Sequence, residues 1–211
     1  MLLNPNIDIQ FLILSTIAFI FALFVHEGNH ALVATALGDD TPRRHGRLSL
    51  NPFRHVDPMG ILFFVIAGFG WASTPVTPAN LKPNPRTGNA IVALAGPIAN
   101  LAFAIVLSIP LWAGLPLPPP LLQLLRIGVF LNILLFVFNL IPIPPLDGFS
   151  VLLGILPREL AWKLQRLERY GIGILLVFLM LPGLLGLRIP GCGSPILCLV
   201  QPVARTLHLP I

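Results

Sequence analysis

Long uncharged apolar segments alternate with short polar loops along the chain. Several of them approach the roughly 20 residues that an apolar helix needs to cross a bilayer. They run from about Ile9 to Leu37, Asn89 to Trp112, Leu121 to Ile141 and Gly171 to Leu187. This pattern predicts an all-α polytopic membrane protein built on a bundle of about four transmembrane helices.

Three shorter segments complete the predicted architecture. Gly60 to Trp71 is apolar but too short to span as a helix, which favours a re-entrant or interfacial segment or a β-hairpin. The residues from Asp147 to Leu156 predict a short apolar helix. Pro157 to Tyr170 mixes basic, acidic and apolar positions, as is typical of an amphipathic helix on a membrane surface.

Composition supports a membrane location. Of the 211 residues, 55% are hydrophobic and only 10% are charged, whereas a soluble domain carries about 25% charged residues. The length suits a single domain, 1–211, with a core at about 9–160 and a C-terminal span and tail at about 171–211. The first basic residue is Arg43, so the N-terminus lacks the basic region of a cleavable signal peptide.

The formal net charge of +5 has a topological explanation. All but three of the 13 Lys and Arg residues lie in short loops or in the amphipathic segment. If the first span runs from outside to inside, these loops all face the cytoplasm, as the positive-inside rule requires. We therefore expect no nucleic-acid partner. Cys192 and Cys198 are too few for a disulfide framework and do not form a CxxC metal site.

Two carboxylates adjoin or interrupt the apolar segments, Glu27 and Asp147. An ionisable group within the hydrocarbon costs roughly 2.5–3.5 kcal/mol or more unless it is paired or bound to a metal. Glu27 lies in the pentapeptide His26-Glu27-Gly28-Asn29-His30. Residues four apart share one helix face, so His26 and His30 can bind one zinc ion while Glu27 activates a water. The alternative is a set of polar residues lining a proton or ion path.

A catalytic zinc site typically has three protein ligands, and Asp147 is the best candidate for the third. It follows a helix end broken by three prolines, and Gly148 allows the chain to approach closely. The alternative for Asp147 is the N-cap of the next helix. Asn139 is a candidate donor to a substrate carbonyl or oxyanion, and an interhelical hydrogen bond is equally open to it.

Together these motifs resemble the site-2 protease family of intramembrane zinc metalloproteases. The resemblance rests on the HExxH pentapeptide, the stretch from Asn139 to Gly148, and further similar stretches at 38–39, 46–52, 55–60 and 95–100. It implies that His26, His30 and Asp147 bind one Zn2+ ion and that Glu27 is catalytic. A minimal bacterial member is implied, since the chain has no room for PDZ or CBS domains.

The resemblance also implies substrates and a location. The substrates are transmembrane proteins, and the enzyme is a multi-pass protein of the bacterial cytoplasmic membrane with its active site toward the cytoplasm. The segment Gly60 to Trp71 is a candidate edge strand for holding an extended substrate. A non-catalytic membrane-protein binder and an ion or proton transporter remain as alternatives. His55 and Asp57 are a candidate second site, for which a structural or gating role is favoured.

Overall fold

Helices account for nearly all regular structure in this protein. The computed structural model describes residues 1–2, 8–184 and 195–206. In chain order the helices of this part are α1 (Ile9–Ala36), α2 (Thr41–Arg44), α3 (Pro58–Ala67), α4 (Pro85–Trp112), α5 (Pro119–Asn139), α6 (Asp147–Ile155), α7 (Arg158–Gln165), α8 (Gly171–Leu184) and α9 (Pro195–Thr206). Short 3-10 turns occur at Pro52–Arg54, Pro78–Asn80 and Glu168–Tyr170.

Helices α1, α4 and α5 form the body of the molecule, and each of them contacts the other two. All three are long and apolar enough to cross a membrane. Only 33% of the residues in the most apolar window of each helix are buried inside the protein. The remaining apolar surface suits contact with lipid, as expected of an integral membrane protein.

The predicted all-α membrane architecture is confirmed. The first three predicted spans correspond to α1, α4 and α5. The fourth begins at Gly171 as the apolar helix α8, and its predicted end at Leu187 lies outside the described residues. Helix α9 packs against α4 and α5 through Val200 and Ala204, and its Cys198 is disulfide-bonded.

The segment predicted as a re-entrant stretch or a β-hairpin contains a helix. Helix α3 begins with Pro58 and is capped by Asp57, whose side chain accepts hydrogen bonds from the backbone N–H groups of Met59 and Gly60. It ends at Gly68, which has a φ of 79°. The hairpin option, and with it an edge strand across this stretch, is therefore wrong, and the described residues contain no strand.

The short helix α6 is docked on α4 by Arg86. Its Nε donates to Leu153 O at 2.6 Å, and its guanidinium also donates to Gly154 O at 3.0 Å and to Leu156 O. These carbonyls belong to the last turn and end of α6, where they lack partners within the helix. Arg86 thereby fixes the helix whose first residue is Asp147. The predicted surface helix follows as α7 and the turn at 168–170.

Asp39 anchors the end of α1 to the chain that precedes α4. It is fully buried and accepts hydrogen bonds from the Thr41 hydroxyl at 2.6 Å, Thr77 N–H at 2.7 Å and the Asn80 amide at 3.0 Å. Burial alone would raise the pKa of Asp39, but these hydrogen bonds outweigh it and hold the pKa below its ordinary value. The connecting segment 69–77 is thus fastened at its C-terminal end.

Candidate metal centre

Three side chains from two distant stretches of the chain converge on one point. His26 and His30 lie one turn apart on α1, with their Nε2 atoms 3.0 Å apart. The Oδ2 atom of Asp147 lies 3.1 Å from His26 Nε2 and 3.3 Å from His30 Nε2. Among the described residues, this is the one group of three His, Cys, Asp or Glu side chains arranged to hold a metal ion.

The outer nitrogens of both imidazoles face oxygen acceptors. His26 Nδ1 lies 2.6 Å from Asn100 Oδ1, and His30 Nδ1 lies 2.7 Å from Val92 O. Each Nδ1 therefore carries a proton, which leaves each Nε2, the atom beside Asp147, as the nitrogen that can bind a metal ion. This is the orientation that metal-bound histidines adopt.

The inner atoms form a set of acceptors that suits a cation. Asp147 Oδ2 is buried and receives no hydrogen bond within the described residues, although it lies beside both imidazole nitrogens. Two ligands at 2.0–2.1 Å from a tetrahedral zinc ion are about 3.3 Å apart, close to the three observed separations. Two imidazoles and a carboxylate are also a common donor set for zinc. The residues present therefore fit a zinc ion.

Two glycines make room for this convergence. A Cβ on Gly96 of α4 would overlap His30 Nε2 and lie 2.8 Å from His26 Cε1. A Cβ on Gly148 would overlap the backbone of Leu140 at the end of α5. A larger residue at position 96 would push α4 away from the two imidazoles, and one at position 148 would push α6, which carries Asp147, away from the end of α5.

The N-cap option for Asp147 does not match the structure. Helix α6 begins at Asp147, and its N-cap residue is Leu146, with no side-chain cap. The Asp147 carboxylate is therefore not used as an N-cap, and it points to the imidazoles instead. The break between α5 and α6 gives it this direction.

Glu27 lies beside the imidazoles in the wall of an apolar cavity of about 360 Å³. Its side chain is buried, and its Oε2 accepts a hydrogen bond from the Thr74 hydroxyl at 2.7 Å. The same cavity is bordered by His26 and Asn139. Its apolar lining includes Phe19, Leu23, Phe64, Trp71, Leu131, Leu135 and Phe138.

Asn139 faces this cavity from the last residue of α5. Its Nδ2 donates to Leu135 O of the same helix at 3.0 Å, so the bond that is present is within the helix and not between helices. The amide thus borders the cavity that Glu27 also borders, which leaves a role toward a bound substrate open.

Neither His55 nor Asp57 belongs to a group of three potential metal ligands within the part of the chain that the structure describes. The His55 ring is buried against Gly28 and Phe24, and its Nε2 lies 2.7 Å from Ser49 O. Asp57 caps α3. Both contacts agree with the structural role that the sequence favoured.

Sequence reasoning missed several polar groups around the site. Asn132 donates nothing to the imidazoles directly but accepts a hydrogen bond from Asn100 at 2.7 Å. A single Asn in the middle of an apolar span was a usable signal for it, because such residues are costly in lipid. Thr74 lies in a polar, proline-rich connection, where no sequence feature distinguished it from its neighbours.

Comparisons with known proteins find relatives that are named as zinc metalloproteases. A model of peptidase family M50 matches residues 119–182. The chain is 37% identical over 174 residues to the "Putative zinc metalloprotease YwhC" of Bacillus subtilis (strain 168), covering 79% of this chain and 80% of that protein. It is 30% identical over 200 residues to the "Putative zinc metalloprotease Rip2" of Mycolicibacterium smegmatis, covering 86% of this chain and 72% of that protein. The protein of that name in Mycobacterium tuberculosis H37Rv is 35% identical over 176 residues, covering 78% of this chain and 66% of that protein. No solved structure matches the chain.

Proposed function

The chain belongs to peptidase family M50, the site-2 protease family, and from that premise we propose that it is an intramembrane zinc endopeptidase. It hydrolyses peptide bonds within or near transmembrane segments of other membrane proteins. The observation that carries the proposal is the convergence of His26, His30 and Asp147 beside the buried carboxylate of Glu27.

In this proposal His26, His30 and Asp147 hold one zinc ion, and Glu27 is the general base. The ion, when bound, supplies Lewis-acid activation of water and of a peptide carbonyl. Glu27 accepts a proton from the attacking water and returns it to the leaving amine. Asn100 and the carbonyl of Val92 keep both imidazoles in the tautomer that binds a metal.

Asn139 is proposed to donate a hydrogen bond to the substrate carbonyl as negative charge develops on its oxygen. Its position in the wall of the cavity that Glu27 also borders supports this role. Removing one such donor typically lowers kcat by roughly 10²–10³-fold. The expected phenotype of Asn139→Ala is therefore a large loss in kcat with zinc retained.

The cavity suits apolar side chains, which indicates a substrate segment from within a membrane. Such a segment must unwind before it is cut, because the carbonyls of an intact helix are hydrogen-bonded to N–H groups of the same helix. The site is proposed to lie toward the cytoplasmic side of a bacterial membrane, in keeping with the basic residues in the loops next to it.

The first experiment measures zinc content of the purified protein and of His26→Ala, His30→Ala and Asp147→Ala. Wild type is expected to bind one equivalent, and each variant is expected to bind much less. Near-stoichiometric zinc in the Asp147 variant would exclude the proposed ligand set.

The second experiment measures cleavage of a reporter with one apolar transmembrane segment containing a Gly-Pro pair. A reporter with an all-Leu segment is the matched control, because its helix resists unwinding. Wild type is expected to cut the first reporter, and Glu27→Gln is expected to keep zinc and lose cleavage. If the protein were a non-catalytic binder, wild type and Glu27→Gln would both bind the reporter and neither would cleave it. A transporter would neither bind nor cleave the reporter.

A further inference from the structure

The orientation of the Glu27 carboxylate depends on a residue outside the metal-binding helix. Thr74 Oγ1 lies 2.7 Å from Glu27 Oε2 and 3.1 Å from the backbone carbonyl of Glu27. A hydroxyl has a single proton, and the shorter contact, to the carboxylate, is the charge-assisted and stronger one. Within the described residues this is the hydrogen bond that the carboxylate receives.

The hydrogen bond from Thr74 restricts the directions that the Glu27 carboxylate can adopt. The terminal torsion of a glutamate side chain has a broad distribution, so an unrestrained Glu27 would sample many directions. Binding of Oε2 to Thr74 leaves Oε1 as the oxygen available for proton transfer. Proton transfer needs the base within hydrogen-bond reach of the water, and loss of alignment by about 1 Å can cost on the order of 100-fold in rate.

The connecting segment 69–77, which carries Thr74, is fixed in place on both sides of that residue. Before it, the backbone of Trp71 passes so close to Gly60 that a Cβ on Gly60 would overlap Trp71 O. After it, Thr77 N–H donates to the buried Asp39 at 2.7 Å. The segment also borders the apolar cavity through Gly70, Trp71 and Ala72. Thr74 therefore connects a wall of the cavity to the carboxylate of Glu27.

We propose that Thr74 is a positioning residue that orients Glu27 for proton transfer. This inference rests on the proposed function, because it assigns a role within the same site. It predicts that the hydroxyl matters for turnover and not for metal or substrate binding, since its hydrogen bonds in the described residues go to Glu27 and Thr74 does not line the cavity.

The test compares Thr74→Val, which keeps the shape and removes the hydroxyl, with Thr74→Ser, which keeps the hydroxyl. Thr35→Val is the control, because the Thr35 hydroxyl on α1 donates to Ala31 O, away from Glu27. With the Gly-Pro reporter, Thr74→Val is expected to lower kcat roughly 10- to 100-fold with KM within about twofold and zinc content unchanged. Thr74→Ser is expected to restore most of the rate, and Thr35→Val to match wild type.

A kcat of Thr74→Val close to that of wild type would overturn the inference, as would a Thr74→Ser variant as slow as Thr74→Val. These outcomes leave the proposed function intact, provided wild type cuts the reporter and Glu27→Gln does not. A wild type that binds zinc but cuts no reporter would instead overturn the proposed function, and with it the catalytic role assigned to Thr74.

A second measurement tests the contact without any cleavage. Thermal unfolding is compared for wild type, Thr74→Val, Glu27→Ala and the double variant. Thr74→Val is expected to lower Tm more in the wild-type background than in Glu27→Ala, where the hydroxyl keeps only the backbone carbonyl of residue 27 as an acceptor. Equal decreases in both backgrounds would show that the hydroxyl acts through other neighbours and would contradict the proposal.

Discussion

The Nδ1 atom of His26 lies 2.6 Å from Oδ1 of Asn100, a fully buried side chain on the facing helix α4. The Nδ2 of the same amide donates to Ala22 O at 3.0 Å and to Asn132 Oδ1 at 2.7 Å. Asn132 in turn donates to Gly128 O at 2.8 Å. This chain of hydrogen bonds from α5 through α4 makes the amide oxygen of Asn100, and not its nitrogen, face His26. The oxygen in turn determines that Nδ1 of His26 carries the proton.

Replacing Asn100 should weaken zinc binding without removing a ligand. Asn100→Ala leaves the His26 N–H without its acceptor, and loss of such a partner typically costs 10–100-fold in metal affinity. The measurement is competition for zinc with a chelator of known affinity. Ser108→Ala is the control, because Ser108 is also a buried polar residue of α4 but bonds Ala104 O of its own helix. Equal zinc affinities for the two variants would contradict this account.

A methyl group at position 96 should exclude the metal. In Gly96→Ala the new Cβ overlaps His30 Nε2 and presses on His26, so the two imidazoles must separate. Zinc content is expected to fall well below one equivalent, while the helical circular dichroism is retained. Gly173→Ala is the control, because a Cβ there meets no atom within 4 Å. Full zinc occupancy in Gly96→Ala would show that α4 can move away from α1 at little cost.

Loss of Arg86 should destabilise the protein and release α6. Arg86→Met keeps an apolar stem of similar length but removes hydrogen bonds to Leu153, Gly154 and Leu156. Hydrogen bonds to charged groups contribute about 1.5–3 kcal/mol each, so a loss of about 2 kcal/mol or more is expected. The readouts are Tm in detergent and zinc content, since Asp147 belongs to the released helix. The exposed Arg44, changed to Met, should leave both values unchanged.

The buried Asp39 should make stability depend on acid. Its folded-state pKa lies below the ordinary value of 3.8, so its ionised form stabilises the fold above about pH 4. That contribution is lost as the pH falls through the lowered pKa. The Tm difference between wild type and Asp39→Asn is therefore expected to be largest near neutral pH and to shrink below pH 4. A difference independent of pH would show that ionised Asp39 is not responsible, and the exposed Asp40→Asn serves as control.

The sequence by itself determined the apolar spans and the pairing of the two histidines in the candidate site. The limits of α1, α4 and α5 follow from local rules, because an apolar helix satisfies its own backbone hydrogen bonds wherever lipid surrounds it. The pairing of His26 with His30 is equally local, since it depends only on the spacing of residues along one helix. Sequence also pointed to Asp147, but it could not choose between a metal ligand and an N-cap.

Tertiary structure decided the relationships that join distant parts of the chain. The Asp147 carboxylate reaches the imidazoles because Arg86 holds α6 against α4. Thr74 reaches Glu27 because Gly60 and Asp39 fasten the segment that carries it. Each outcome depends on distances set by the packing of several elements at once, and hydrophobic periodicity carries no information about those distances.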